Sequence, residues 1–159
     1  MTGLPRRPGP RPSTTPTNPH TQLDQQPSGT GQREALAEAL FALPGVVEVP
    51  SRISVPGARA LWLEEGAGGP PEAFMIGHEF AHLHPGHDQS LHAMLPAALA
   101  EEAVAAGWAE PHPMARLGFI PGTAVMVYAP RDDAEREVVE RLIRASHAFA
   151  RGEAGLDPG

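Results

Sequence analysis

The sequence contains no cysteine and no lysine, and each absence removes a class of chemistry. Without cysteine the chain has no disulfide, thiolate nucleophile, iron–sulfur cluster or cysteine zinc site, and it does not need an oxidising compartment. Without lysine, Schiff-base catalysis through a lysine side chain is excluded. We therefore expect a cytoplasmic protein.

Long apolar runs are missing as well, since no stretch of about 18 apolar residues occurs. The pair Arg6 and Arg7 precedes prolines and threonines, so neither a membrane span nor an export signal is predicted. The net charge is −7, and an acidic protein binds phosphate backbones poorly. We expect a small-molecule substrate or ligand, no nucleic acid and no membrane, and leave the oligomeric state open.

Proline is concentrated at one end of the chain, with seven of its 19 copies in residues 1–30. The large aliphatic residues there are Met1, Leu4 and Leu23, which are too few to build a core. Residues 1–31 are therefore predicted to be a disordered Pro/Arg-rich tail. Residues 32–151 are predicted to form one domain, and residues 152–159 a flexible C-terminus.

Within the domain, apolar spacing predicts helices over residues 34–43, from Pro96 to Gly107 and from Asp132 onward. His147, on the last helix, is expected to face solvent. Short β-type runs predict strands over Val46–Val49, Ile53–Val55, Ala60–Leu63, Phe74–Ile76 and Ala124–Tyr128. This order predicts an α+β fold, a mainly antiparallel sheet with about three helices packed on one face.

Five of the eight histidines lie between residues 78 and 92. If residues 79–84 and 90–95 form a hairpin, pairing His84 with Ser90 also pairs His82 with His92. These four side chains then share one face, where directly opposed Cβ atoms lie about 5 Å apart. The opposite face is apolar and consists of Ala81, Leu83, Leu91, Ala93 and Leu95.

Three interpretations of this histidine face remain open, namely a solvated polar face, a metal site and a proton-transfer site. The spacing of His82, His84, Asp88 and His92 suits zinc, iron or manganese, and no organic cofactor is expected. Asp88 is equally expected to cap the turn. Glu79 has the parity of the apolar face, which would bury its carboxylate, but its place at the end of a strand favours exposure.

A second group of candidate residues follows the second helix. Trp108, Glu110 and His112 share one face if this segment is extended, and they then line a pocket. The alternative for Trp108 is packing in the core. Tyr128 ends the last strand, and Arg131 is suited either to an anionic or enolic oxygen of a ligand or to a salt bridge.

Several motifs together resemble the fungal-luciferase-like family, often labelled "luciferase domain" in bacterial proteins, whose members of this type mostly have no assigned reaction. They are residues 50–54 (PSRIS), 79–85 (EFAHLHP), 90–92 (SLH), 95–96 (LP), 107–113 (GWAEPHP) and 128–132 (YAPRD). The resemblance covers about residues 43–151. It implies a link to enzymes that oxidise a hydroxylated α-pyrone with molecular oxygen, losing carbon dioxide and emitting light. Asp88-Gln89-Ser90 departs from the usual Asp-Gly-Ser.

Our first functional hypothesis is an oxygen-dependent enzyme that acts on an enolisable hydroxylated aromatic or pyrone-type substrate. The histidine face activates this substrate, either by direct deprotonation or through a bound divalent metal. Candidate catalytic residues are His82, His84, His92, Glu110, His112 and Arg131. Candidate substrate-binding residues are Trp108, Ser90 and Tyr128, and candidate metal ligands are His82, His84, His92 and Asp88. The alternatives are a non-catalytic small-ligand-binding domain and an interaction module recruited through the tail.

Overall fold

The computed structural model describes residues 3–153, so most of the predicted C-terminal segment 152–159 lies outside the described residues. The elements are α1 (Gly31–Leu40), β1 (Val46–Pro50), β2 (Arg59–Leu63), a 3-10 turn (Pro71–Ala73), β3 (Glu79–Leu83), β4 (Leu91–Met94), α2 (Ala97–Ala105), β5 (Ala109–Pro111), α3 (Pro113–Arg116), β6 (Ala124–Val127) and α4 (Asp133–Arg151). The predicted α+β class is confirmed. Over residues 3–153, no helix is both long enough and apolar enough to cross a bilayer.

The six strands form one antiparallel sheet in the order β1-β2-β3-β4-β6-β5. The β3–β4 hairpin has the predicted register, because His82 pairs with His92 and the amide of His84 donates to the carbonyl of Ser90 at 3.2 Å. Alternation along these strands then sends the histidines to one face of the sheet and the small apolar residues to the other.

The apolar face of the sheet is covered by helices and forms the core. Helix α4 packs on β3 and β4, and α1 packs on α4. Asp132 caps α4 by accepting the amide of Glu135 at 2.9 Å, and the left-handed Gly152 (φ 83°) ends it. The buried side chains of α4 include Leu142 and Ile143. The histidine face is thus the side of the sheet left available for function.

Replacing Leu142 with alanine is expected to lower the free energy of unfolding by about 2–5 kcal/mol, because it removes buried methyl groups and leaves a cavity. Urea denaturation measures this loss. The matched control is Leu117→Ala, whose side chain is 67% exposed, and which should change stability by no more than about 0.5 kcal/mol. Equal effects of the two substitutions would contradict the assigned core.

Two predicted strands are absent from the described part of the chain. Residues 53–55 lie in a loop between Pro50 and Gly57, which is closed by the amide of Ser51 donating to the carbonyl of Ala58 at 3.0 Å. Residues 74–76 follow the 3-10 turn, and Ile76 forms an isolated bridge. The flanking prolines and glycines restrict both runs to loops despite their β-type side chains.

The N-terminal segment differs from the predicted disordered tail over residues 3–30. It lacks a core of its own, as its composition predicts, but it lies along the domain and hydrogen-bonds to its backbone. The amide of Arg7 donates to the carbonyl of Ala106 at 2.9 Å, and Nη1 of Arg11 donates to the carbonyl of Ala109 at 2.8 Å. Polar contacts therefore order a segment that apolar burial alone does not.

His147 is buried, with 6% of its surface exposed, which corrects the expectation that it faces solvent. The apolar spacing of α4 placed it correctly on the helix, but Nε2 turns inward and donates to the carbonyl of Pro44 at 2.8 Å. Burial lowers the pKa of His147, because the charged imidazolium is poorly solvated there.

This burial makes stability depend on pH. Below about pH 6.5 the unfolded chain binds a proton at His147 that the folded chain does not, so the free energy of unfolding falls as the pH is lowered. His147→Gln should reduce this slope by up to about 1.4 kcal/mol per pH unit, as measured by urea denaturation between pH 7 and pH 5. His87→Gln, at an exposed position, should leave the slope unchanged, and an unchanged slope in His147→Gln would refute the assignment.

Candidate active site

The histidine face of the sheet borders a cavity of about 510 Å³. Its walls are the loop residues Ile53, Ser54, Val55 and Met75, the segment Asn18, Pro19, His20 and Thr21, and Met114, Ile120 and Ala124. Five imidazoles lie on its polar side, those of His20, His82, His84, His92 and His112. A largely apolar cavity of this volume with a few convergent polar groups is typical of a small-molecule site.

The three histidines of the hairpin converge as the register predicts, and we call His82, His84 and His92 the histidine cluster. Nδ1 of His92 lies 3.2 Å from Nε2 of His82 and 2.9 Å from Nε2 of His84. All three side chains are buried. The sequence-based prediction that these rings share one face and meet is therefore confirmed by the geometry.

Glu79 lies behind His82 and is buried, which was the less favoured of the two interpretations of its position. Its carboxylate accepts from Nδ1 of His82 at 2.8 Å, from the hydroxyl of Ser51 at 2.7 Å and from the amide of Arg52 at 3.2 Å. The side chain is 0% exposed, which corrects the expected exposure. The cause is an irregularity in the β2–β3 pairing, where Trp62 pairs with Glu79 and the alternation of β3 shifts by one residue.

Asp88 and Ser90 contact Nδ1 of His84, as Glu79 contacts Nδ1 of His82. The hydroxyl of Ser90 donates to Oδ1 of Asp88 at 2.6 Å, so its lone pairs accept from Nδ1 of His84 at 3.0 Å. Oδ2 of Asp88 lies 3.2 Å from that same nitrogen. Asp88 thus both caps the turn, through the amide of Ser90 at 3.0 Å, and orients a histidine of the cluster.

A further histidine reaches the cluster from the N-terminal segment. Nδ1 of His20 lies 2.9 Å from Nε2 of His92, and Nε2 of His20 lies 2.8 Å from Oε2 of Glu110. Glu110 also accepts from the hydroxyls of Tyr128 at 2.8 Å and of Thr14 at 2.9 Å. Glu110 and Tyr128, both predicted site residues, therefore support His92 through His20.

The last histidine at the cavity, His112, has the opposite tautomer to His82 and His84. Its Nδ1 accepts the amide of Met114 at 3.0 Å, so a neutral ring carries its proton on Nε2. Burial, together with the neighbouring histidines, lowers the pKa of His112 to about 4. His112 is consequently a neutral hydrogen-bond donor over the physiological pH range, and its ring centre lies 4.6 Å from that of His92.

The electrostatics favour uncharged imidazoles facing ionised carboxylates. Burial lowers the pKa of both His82 and His92, and neighbouring histidines lower that of His92 further. Burial by itself would raise the pKa of Asp88 and Glu110, but hydrogen bonds from histidine and hydroxyl groups outweigh it and lower both. Burial raises the pKa of Tyr128 to about 12, so its hydroxyl remains a donor to Glu110.

The predicted site residues that do not line the cavity fall into two groups. Asp88, Ser90, Glu110 and Tyr128 lie in the hydrogen-bond networks behind the histidines, whereas Trp108 and Arg131 are outside those networks. Trp108 belongs to the hydrophobic core, and its Nε1 donates to the carbonyl of Pro5 at 2.6 Å. Arg131 pairs with Glu135 at 2.6 Å on the first turn of α4. Trp108 thus packs in the core and Arg131 forms a salt bridge, which are the alternatives that the sequence analysis gave for them. Neither side chain is placed to touch a ligand in the cavity.

The sequence carried little signal for the residues that were missed. The position of Glu79, three residues before His82, is a weak hint, because only the irregular pairing turns its carboxylate toward that ring. His20 lies 72 positions before His92 in a segment without helical or strand periodicity. A histidine in such a segment gives no indication of where it packs.

The fold and the site together define a class of protein, an α+β domain with a buried cluster of histidines at the edge of an apolar cavity. Residues 77–146 match the family model described as "Luciferase domain". This match supports a relationship to the luciferase-domain family, in agreement with the motifs noted in the sequence. The matched residues include the whole β3–β4 hairpin.

The relatives with curated descriptions are fungal. The chain is 32% identical to a protein named luciferase from Armillaria ostoyae over 180 aligned positions, which cover 92% of this chain and 60% of that protein. It is 30% identical to a luciferase from Neonothopanus nambi over 128 positions, covering 76% of this chain and 41% of that protein. The chain thus spans three-fifths or less of the length of these relatives. No solved structure matches it significantly.

Proposed function

We propose that this domain binds a small, enolisable hydroxylated aromatic or pyrone-type compound in the cavity and oxidises it with molecular oxygen. The histidine cluster promotes the loss of the hydroxyl proton that starts the reaction. The single observation that carries this proposal is the position of the cluster, buried at the end of an apolar cavity of about 510 Å³. The relatives named luciferase favour an oxidation over other uses of such a cavity.

The tautomers of the cluster suit this role. Nδ1–H of His82 donates a hydrogen bond to Glu79, and Nδ1–H of His84 donates one to Ser90. The Nε2 atoms of both rings therefore carry lone pairs, which point toward His92 and the cavity. A carboxylate behind an imidazole fixes its tautomer and stabilises the imidazolium that forms when the ring accepts a proton. His82, with Glu79 behind it, is therefore the base best placed to accept the hydroxyl proton.

The oxidation balances without an organic cofactor. Loss of the hydroxyl proton to the cluster leaves an enolate, whose carbon transfers two electrons to dioxygen and forms a carbon–oxygen bond. The resulting peroxide anion takes the proton back from the cluster, so substrate and oxygen together give a hydroperoxide. The neutral His112 carries its donor proton on Nε2, and such a donor stabilises an oxyanion as it forms.

Oxygen consumption with a panel of hydroxy-pyrones and catechols tests this proposal. We expect uptake of one oxygen molecule per molecule oxidised with a compound that carries a free enolic hydroxyl. The matched control is the methyl ether of the same compound, which has the same ring but no proton to lose. Equal uptake with the ether, or no uptake with any member of the panel, would refute the proposal.

The second candidate is a binding domain without turnover, which the apolar walls of the cavity also favour. Tight binding of a panel compound, measured by calorimetry, together with no oxygen uptake would support this alternative. Turnover would exclude it. Calorimetry on the methyl ether would then show whether the hydroxyl contributes to binding or only to reaction.

A further inference from the structure

We propose that Nε2 of His82, Nε2 of His84 and Nδ1 of His92 together hold one divalent first-row transition-metal ion. The site lies at the same cavity as the proposed oxidation. A role of the ion in catalysis rests on that proposed function, whereas binding of the ion does not. Asp88, considered from the sequence as a direct ligand, lies behind His84 and instead orients that ligand.

The hydrogen-bond partners fix where each imidazole proton lies. Nδ1 of His82 donates to Glu79, and Nδ1 of His84 donates to Ser90, which itself donates to Asp88. With one proton on each ring, both Nε2 atoms therefore carry bare lone pairs.

The third ring, that of His92, carries its proton on Nε2, the nitrogen that faces His20. His20 donates from Nε2 to the carboxylate of Glu110, so its Nδ1 accepts the Nε2 proton of His92. Nδ1 of His92 is then bare as well. Three lone pairs thus converge within a few ångströms with no proton between them, an arrangement that is repulsive unless a cation lies among them.

The distances fit a coordinated ion. With a metal–nitrogen bond of about 2.05 Å, two ligand nitrogens lie about 2.9 Å apart at a right angle and about 3.3 Å apart at a tetrahedral angle. The measured separations from Nδ1 of His92 are 2.9 Å to His84 and 3.2 Å to His82. All three ligand atoms lie within 4.8 Å of one another, and because the three rings line the cavity, the remaining positions of the ion would be filled from there, as in catalytic metal sites.

Charge balance also points to a cation. The carboxylate of Glu79 is 0% exposed, and its donors are the hydroxyl of Ser51, the amide of Arg52 and the ring of His82, none of which is charged while His82 is neutral. A buried carboxylate without a countercharge is costly. A dication on the far side of His82 provides that charge and completes a carboxylate–histidine–metal arrangement.

The ligand chemistry selects the class of ion. Imidazole nitrogen suits zinc, iron, nickel and copper, whereas magnesium and calcium prefer oxygen ligands. A competing arrangement replaces the ion with a proton on Nδ1 of His92. In that arrangement Nε2 of His92 is an acceptor, so Nδ1 of His20 must donate to it. Because Nε2 of His20 also donates to Glu110, both nitrogens of His20 would be protonated. Metal titration distinguishes the two.

The test uses the 159-residue chain without a purification tag. The protein is stripped of metal with a chelator and titrated with cobalt(II) and zinc(II). We expect one equivalent of either ion to bind, and cobalt(II) to show the visible absorption bands of a nitrogen-ligated site. His82→Ala should weaken zinc binding at least 100-fold. Asp88→Asn should weaken it about 10- to 100-fold, as is usual for groups that orient a ligand.

His112→Ala is the matched control, because His112 turns its bare nitrogen to the amide of Met114. It should still bind one equivalent, and near-ultraviolet circular dichroism should show that each variant is folded. No binding of either ion to the wild-type protein at micromolar concentrations would overturn the inference. So would a site lost in His112→Ala but kept in His82→Ala, which would assign the ion to the group formed by His20, His92 and His112.

The outcomes for metal and for turnover are separable. Stoichiometric binding without oxygen uptake would leave the metal site intact and refute the proposed oxidation. Full oxygen uptake by chelator-treated protein would confirm the oxidation and refute a role for the ion, leaving His82 as the base.

Discussion

Replacing His92 with alanine is expected to reduce kcat/KM for oxygen-dependent oxidation by about 10²–10⁴-fold, the usual contribution of acid–base catalysis, because the substitution disrupts the cluster that contains the base His82. His92 is the residue on which the site converges, since its two nitrogens contact His82, His84 and His20. Its loss separates the hairpin histidines from the N-terminal segment and removes the nitrogen that converges with Nε2 of His82 and Nε2 of His84. Steady-state oxygen consumption measures the effect.

The matched control for this substitution is His87→Ala. His87 lies in the turn of the same hairpin but is exposed, so the control removes an imidazole from the same element without changing the cavity. It should keep the wild-type rate. If His87→Ala and His92→Ala had equal rates, the location of the reactive centre would be wrong.

Deletion of residues 3–22 is expected to reduce kcat/KM by about 100-fold, the order of loss that accompanies a small displacement of reacting groups. The deletion removes His20 and the stretch 18–21 that forms one wall of the cavity. It also removes Thr14, which donates to Glu110. The core should survive, because its fully buried members lie between residues 36 and 150.

A second variant, His20→Ala, distinguishes the contribution of the His20 side chain from that of the cavity wall formed by residues 18–21. If His20 acts chiefly by orienting His92, this single substitution should reproduce most of the loss in kcat, and the deletion should additionally raise KM. A folded deletion variant with the wild-type kcat/KM would contradict the assigned role of this segment at the cavity. The interaction-module alternative is tested separately, since it requires that deletion of the tail abolishes recovery of a partner.

The hairpin is the part of the site that could be predicted from the sequence. Its register follows from the five-residue connection between the strands and from the parity that places Ala81, Leu83, Leu91 and Ala93 on one face. A slip of one residue would bury histidines in the core, so the hydrophobic pattern excludes that slip, and the length of the connection is needed for the rest of the register. Helices α1, α2 and α4 follow from their spacing, whereas the four-residue α3 was not predicted.

The surroundings of the hairpin could not be predicted in this way, because they depend on breaks in regular alternation. Glu79 has the parity of the apolar face, and only the shift between Leu61 and Trp62 turns it toward His82. Likewise, Trp108 has the parity of Glu110 and His112, but it lies one residue before β5 and packs in the core. Parity applies only within a regular strand.

The contribution of the N-terminal segment depends on tertiary contacts over long sequence distances. Its composition correctly indicates that it cannot form a core, and the inference that it is disordered followed from that. In the structure the segment is held by hydrogen bonds to the domain, such as those from Arg7 and Arg11, and by the contact of His20 with His92. Side-chain composition does not encode such partners.

The most direct test of the account is the tautomeric state of the imidazoles, measured by nitrogen-15 NMR on metal-free protein at pH 7.5. The account predicts neutral rings, with the proton on Nδ1 in His82 and His84 and on Nε2 in His112. Protons on Nε2 of His82 and His84 would contradict it. Those rings would then present no lone pair to a substrate proton or to a metal ion.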